Sequence, residues 1–264
     1  MSPRSVRMQS SVTVEFSSIR ELFNAPVIPR QSLPASTIDL WPLTLTGEDA
    51  EYVRCLDWLD RQERARAARF LRRQDSERYV LAHGGLRFIL GFYLGLAPAR
   101  IEFSSTSTGK PTVAGLRPES AALTFNLSHA HGKAMVAVAQ GREVGVDLEL
   151  IREDVEVLKL AERFFSPREQ LYLRSTVPDS RSREFFHYWV AKEAVLKAEG
   201  VGLASLQGCE IDWSGGSDRD GVPVWLGGHS QRPWVVRTLD CGPGWVGAVA
   251  AQGSDWTIKP YASD

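Results

Sequence analysis

The chain has 264 residues, about 1.8 times a typical domain, so it has room for one large domain or two small ones around a sizeable core. A hydrophobic fraction of 43%, a charged fraction of 24% and eight tryptophans exclude a disordered or fibrous chain. The 31 basic and 32 acidic residues leave a net charge of −1, so nothing global steers the protein to nucleic acid or an anionic membrane, yet residues 1–132 carry +3 (16 basic, 13 acidic) and residues 133–264 carry −4 (15 and 19).

In chain order, residues 1–36 are rich in Ser and Pro and are expected as a loose extension or an early strand ahead of the compact part, with no apolar run long enough for a signal peptide. Asp57–Leu96 has few breakers and predicts two helices, with Leu71, Val80, Leu81, Leu86, Phe88 and Ile89 as buried faces. Short strands are expected at 101–105, 112–114, 123–127, 134–139 and 144–150. Helices follow at 155–165, 167–174 and 183–199, the last closed by Gly200, before a strand-rich tail from Glu210. The pattern is α+β, and each half runs through both kinds of element, so we expect a first lobe over 37–143 and a second over 144–264. No segment approaches a membrane span, and Cys55, Cys209 and Cys241 are odd in number without a CxxC pair, so a reduced, cytoplasmic protein is expected.

In Val144–Leu150, apolar Val144, Val146, Leu148 and Leu150 alternate with Gly145, Asp147 and Glu149. A strand puts both carboxylates on one face, roughly 7 Å apart, where a hard divalent cation fits; the other reading is an amphipathic strand with a wet acidic face. A helical wheel through 185–197 with Trp189 at zero places Leu196 and Phe185 about 20° and 40° to one side, and Phe186 and Val190 about 60° and 100° to the other. Glu193 and Lys197 fall at about 40° and 80° on that wheel, inside the apolar arc, where an exposed ion pair worth about 0.2–0.5 kcal/mol does not account for them. Ligand or metal contact explains that position better, although structural ion-pair networks also bury such groups.

Asp147, Glu149 and Glu193 form an all-oxygen set suited to Mg²⁺ or Mn²⁺ rather than zinc, and such ions bind substrate phosphates. The hydroxyl-rich turn 104–111 is not a P-loop, because the leading Gly is missing and Pro111 follows Lys110. Seven arginines between Arg61 and Arg78, against Glu63, Asp75 and Glu77, suit either a phosphate or a solvated helix face. HExxH, GxSxG and GxGxxG are absent from the sequence, which removes the usual support for a zinc protease, a serine hydrolase or a Rossmann enzyme.

Taken in order, Glu63–Arg66 through Arg69-Phe70, Asp75 with Arg78, Gly109-Lys110-Pro111, Phe125–His129, Gly145–Glu149, Arg163–Ser166 and Trp189–Ala194 through Lys197, Gly200 and Gly202 resemble the 4′-phosphopantetheinyl transferases of the Sfp type. The resemblance implies a pseudo-dimer of two similar α+β lobes with the active site in the cleft between them. It implies transfer of phosphopantetheine from coenzyme A to a serine of an apo acyl, aryl or peptidyl carrier protein, with release of adenosine 3′,5′-bisphosphate. By the same resemblance Asp147, Glu149 and Glu193 would hold Mg²⁺, Glu193 or a metal-bound water would take the serine proton, and Lys197 would stabilise the pyrophosphate. Arg66, Arg78, Lys110, Ser128 and His129 would bind coenzyme A, with Glu63 standing where some relatives carry a basic residue. The partners implied are coenzyme A and carrier domains, with no nucleic acid or membrane, and the protein is expected to be a monomer. The rival readings are another Mg²⁺-dependent phosphotransferase or phosphohydrolase on the same carboxylates, and an Arg-rich binding module without catalysis.

Overall fold

The structure is a computed structural model and describes residues 12–25, 33–116, 122–213, 221–227 and 233–261. The first half contains β1 (Val12–Thr13), β2 (Ser17–Ser18), α1 (Ile19–Asn24), β3 (Thr37–Thr44), α2 (Asp49–Trp58), α3 (Arg61–Ala67), α4 (Arg73–Leu94), β4 (Phe103–Ser105), β5 (Pro111–Val113), β6 (Leu123–Ala130) and β7 (Lys133–Gln140). The second half contains β8 (Val144–Leu150), α5 (Val157–Phe164), α6 (Pro167–Ser175), α7 (Pro178–Glu199), β9 (Cys209–Glu210), β10 (Val222–Leu226), β11 (Trp234–Asp240), β12 (Trp245–Gln252) and β13 (Thr257–Pro260).

The two halves share a plan. Each lays one 22-residue helix on a mostly antiparallel sheet, α4 in the first and α7 in the second, and each helix ends at a glycine in the left-handed conformation, Gly95 or Gly200. The sheet orders are β13-β3-β7-β6 and β8-β12-β11-β10-β9, and β4–β5 is a separate hairpin. On β7, Ala134, Val136 and Val138 face the first-half helices, whereas Met135, Ala137 and Ala139 face the other sheet. On β12, Val246, Ala248 and Ala250 lie under α7, whereas Val249 and Ala251 join Ile38, Leu40, Val144, Val146 and Leu148 between the sheets. The period-2 alternation of the strands therefore builds three apolar layers, one beneath each long helix and one joining the lobes.

Three expectations are corrected. Residues 12–25 lie in the fold rather than ahead of it: β1 pairs in parallel with β11 of the second sheet, β2 pairs with β3, and Ile19 and Leu22 are buried. The tail likewise crosses back, since β13 pairs in parallel with β3 of the first sheet. The lobes therefore exchange terminal strands, and a cut at 143/144 does not separate the two sheets. Asp57–Leu96 holds the two helices expected of it, α3 and α4, but Leu71, expected on a buried face, stands fully exposed between them, and the start of α3 is set by Asp60. Its Oδ1 accepts from the amides of Gln62 and Glu63, both at 2.8 Å, and Glu63 Oε2 accepts from the Asp60 amide at 3.0 Å, a reciprocal cap.

Candidate active site

Strand β8 and helix α7 pack so closely that a Cβ on Gly145 would lie 2.0 Å from the Ala194 carbonyl oxygen. With Val144, Val146 and Leu148 turned between the sheets, the alternate face of β8 looks onto α7. Asp147 and Glu149 on that strand and Glu193 and Lys197 on the helix thus meet along one seam. Strand β6 completes it from the first lobe: Asn126 Oδ1 accepts from the Val146 amide at 2.9 Å, and Ser128 Oγ accepts from the Leu148 amide at 3.3 Å. Together Leu127, Ser128, His129, Asp147, Glu149, Trp189, Glu193, Lys197 and Leu203 line a cleft of about 330 Å³ between the lobes.

Lys197 Nζ donates to Asp147 Oδ1 at 2.6 Å and to Ser128 Oγ at 3.1 Å, and the Ser128 hydroxyl donates to the same Asp147 oxygen at 2.8 Å. The remaining oxygen, Asp147 Oδ2, is buried without a hydrogen-bond partner, and so is Glu193 Oε1. Burial, then the charge of Asp147, pushes both Glu149 and Glu193 up to about 7, with Lys197 pulling the other way on each. Among the described residues no three His, Cys, Asp or Glu side chains enclose a metal site by themselves. A magnesium-type ion does not require that, since it binds through one or two carboxylates and completes its shell with water and phosphate oxygens. Two orphaned carboxylate oxygens in an all-oxygen donor set fit such an ion; they do not fit zinc, which prefers nitrogen and sulfur.

His129 stands exposed at the rim, where partial burial and the charges of His83, Lys197 and Arg66 push its imidazole down from the usual range. It meets the first-lobe helices through Tyr79, whose ring stacks on His83 (4.0 Å), lies edge-on to His129 (6.5 Å) and carries the Arg66 guanidinium (5.6 Å). Arg66 and Arg78 lie outside the cleft lining; Arg78 faces Asp75 at 3.8 Å and rests against the β6–β7 turn at Gly132. Lys110 also lies outside it, with its ammonium bonded elsewhere.

Glu63 belongs to no anion clamp. It is buried, with Oε1 2.9 Å from His83 Nδ1 and Oε2 accepting from Arg87 Nε at 2.7 Å. The sequence reading missed this network and the apolar wall formed by Leu127 and Leu203. The Asp60-x-x-Glu63 spacing was a usable signal for the first, and nothing in the sequence flags Leu203.

Comparison with known proteins decides the family. Residues 46–142 match the model described as "4′-phosphopantetheinyl transferase, N-terminal", and residues 143–250 match that of the "4′-phosphopantetheinyl transferase superfamily". Over 89% of this chain and 95% of the relative, it is 39% identical to "4′-phosphopantetheinyl transferase HetI" of Nostoc sp.. The chain belongs to the 4′-phosphopantetheinyl transferase superfamily. Members of this superfamily are enzymes that transfer phosphopantetheine to carrier proteins. Further phosphopantetheinyl transferases to which the chain is similar are Sfp of Bacillus subtilis (28% identical, covering 80% of this chain and 89% of the relative) and "L-aminoadipate-semialdehyde dehydrogenase-phosphopantetheinyl transferase" of Xenopus laevis (30%, 62% and 57%). In superfamily terms the seam between β8 and α7 falls within the model match to the second lobe, while Ser128 and His129 come from the N-terminal match. Among the described residues no helix is long and apolar enough to cross a membrane.

Proposed function

We propose that this protein transfers 4′-phosphopantetheine from coenzyme A to a serine hydroxyl of an apo carrier domain, releasing adenosine 3′,5′-bisphosphate, at the seam between β8 and α7. The observation that carries the reading is the pair of buried, unpartnered oxygens, Asp147 Oδ2 and Glu193 Oε1, beside the Lys197 ammonium. Carboxylates so placed are costly for folding alone and are explained by a ligand that supplies positive charge.

Asp147, Glu149 and Glu193 would hold Mg²⁺, which when bound supplies charge neutralisation at the pyrophosphate and polarises the phosphorus. Lys197, already within the cleft, binds a phosphate oxygen as the leaving group gains charge. Glu193, which burial and the charge of Asp147 raise when no cation is bound, is the chain's own group to take the serine proton, directly or through a metal-bound water. Ser128 and His129 would meet the 3′-phosphate end of coenzyme A from the first lobe, with Arg66 and Arg78 adding positive charge behind them. Trp189, Leu127 and Leu203 offer the uncharged pantetheine arm an apolar wall.

The test is incubation with coenzyme A, Mg²⁺ and apo carrier domains of the fatty-acid, polyketide and peptide types, followed by intact-mass measurement. A phosphopantetheine adduct on at least one carrier is expected, with turnover lost in Asp147→Ala and Glu193→Gln while the circular dichroism spectrum is unchanged. No adduct on any carrier type overturns the proposal.

A further inference from the structure

Lys110 occupies a position that a nucleotide ligand would not require. Its ammonium donates to Glu143 Oε2 at 2.5 Å, to the Val144 carbonyl at 3.1 Å and to the Ala198 carbonyl at 2.7 Å. A lysine ammonium has three protons and no acceptor, so these three bonds use its whole capacity, and only 7% of the side chain is exposed. The turn that presents it is itself bonded internally: the Lys110 amide donates to Thr106 Oγ1 at 3.0 Å, and the Thr106 amide donates back to the Lys110 carbonyl at 2.9 Å.

The acceptors are informative. Ala198 follows Lys197 in the last turn of α7, where carbonyls have no helical partner and a cation is favoured by the helix dipole. Val144 is the first residue of β8, three before Asp147. The turn also packs on the end of α7, since a Cβ on Gly200 would lie 2.9 Å from Thr108 Oγ1 and 3.1 Å from Lys110 Cβ. One first-lobe side chain thus fastens the two second-lobe elements whose side chains form the 2.6 Å Lys197–Asp147 contact.

We infer that Lys110 is a positioning residue rather than a coenzyme A ligand: it locks the C-terminal turn of α7 and the root of β8 to the β4–β5 hairpin and so sets the register of Lys197 against Asp147. The inference rests on the proposed transfer reaction only for its kinetic consequence.

The test compares Lys110→Met, which keeps length and loses charge, with Lys110→Arg. For Lys110→Met, amide exchange at Ala198, Gly200 and Val201 is expected to rise about tenfold or more, because the last turn loses a tether. Coenzyme A binding, measured by calorimetry with Mg²⁺, is expected to change by less than about threefold, while kcat falls about 10–100-fold, as for a reacting group displaced by a fraction of an ångström. Lys110→Arg is expected to restore the slow exchange and most of kcat. A roughly tenfold loss of coenzyme A affinity with unchanged exchange would mean direct ligation and overturn the inference, as would a lowered melting point with kcat intact. If Lys110→Met does not fold, Glu143→Gln, which removes one acceptor on a half-exposed side chain, is expected to move exchange and kcat in the same directions by about two- to fivefold, and no movement in either overturns the inference. If the wild-type protein modifies no carrier, the transfer proposal fails while exchange and coenzyme A affinity still decide the role of Lys110.

Discussion

Lys192 is fully buried one residue before Glu193, and its ammonium lies 2.7 Å from Glu169 Oε2, with both side chains at 1% exposure or less. The carboxylate also accepts from the amides of Ser166 (2.8 Å) and Ile211 (3.0 Å), and the ammonium donates to the Leu206 carbonyl at 3.1 Å and to that of Cys209. Breaking such a pair from one side leaves an uncompensated buried charge, at a cost of about 3–5 kcal/mol. Because two amides still solvate Glu169, Lys192→Met is expected near the lower end, about 3 kcal/mol, which for a chain of this size lowers the melting point by about 6–12 °C. Adding Glu169→Gln removes the stranded charge but turns a side-chain NH2 toward one of the two amide donors, since Ser166 N and Ile211 N bond different oxygens, so the double variant is expected to recover about 1 kcal/mol of that loss. Chemical denaturation followed by tryptophan fluorescence measures all three differences. A cost below about 1 kcal/mol for Lys192→Met, or additive losses in the double variant, would refute the reasoning.

Gly145→Ala places a methyl group 2.0 Å from the Ala194 carbonyl oxygen, so α7 must shift; a loss of about 3 kcal/mol or more and of transfer activity is expected, read by denaturation and carrier mass. Glu193→Gln keeps the shape but cannot accept a proton, and kcat is expected to fall about 10²–10⁴-fold in the carrier assay. Glu149 and Glu193 are raised from 4.5 to about 7, so the folded state binds more protons than the unfolded state between those values, and this pair's stabilising contribution falls as pH rises through the window. Without divalent cations, a Glu149→Gln/Glu193→Gln variant is therefore expected to match the wild-type melting point near pH 5 and exceed it at pH 8; a pH-independent difference refutes this. With both groups near half-protonated at pH 7, Mg²⁺ binding is expected to release about one proton, visible as a calorimetric enthalpy that varies with the buffer's ionisation enthalpy.

What could be read in advance depended on whether the signal was local. The alternation in Val144–Leu150 was legible because it has period 2, and only its second face was open to two readings; α7 covers that face. Glu193 and Lys197 were legible because two charges stood in an apolar arc. The same wheel puts Lys192 about 60° from Trp189, on the side of Phe185, an even more buried position, but its partner Glu169 lies in another helix and no periodicity connects them. The strand exchange was illegible for the same reason, since pairing of Val12 with Leu239 and of Ile258 with Ile38 spans more than 200 residues. Lys110 shows the limit of motif reading: Gly109-Lys110-Pro111 marks a turn, and only the fold reveals that the ammonium is saturated by protein.

The charge division between the halves also takes a different meaning. Its basic part is largely spent locally: Arg64 donates to the carbonyls of Leu59 and Asp57, Arg73 pairs with Glu77, and Arg87 with Asp60 and Glu63. From the first lobe the cleft receives Leu127, Ser128 and His129, and His129 is held toward its neutral form. The cleft's fixed charge therefore comes from the second lobe alone, as three carboxylates against the single ammonium of Lys197, a formal −2 when all are ionised. A partly buried cleft holds −2 poorly, which the raised values of both glutamates reflect, and a dication bound there as proposed would offset the same charge. On the proposed reaction, exchanging those protons for a dication would leave Glu193 ionised, so charge balance, cation binding and proton transfer would all rest on the same four side chains.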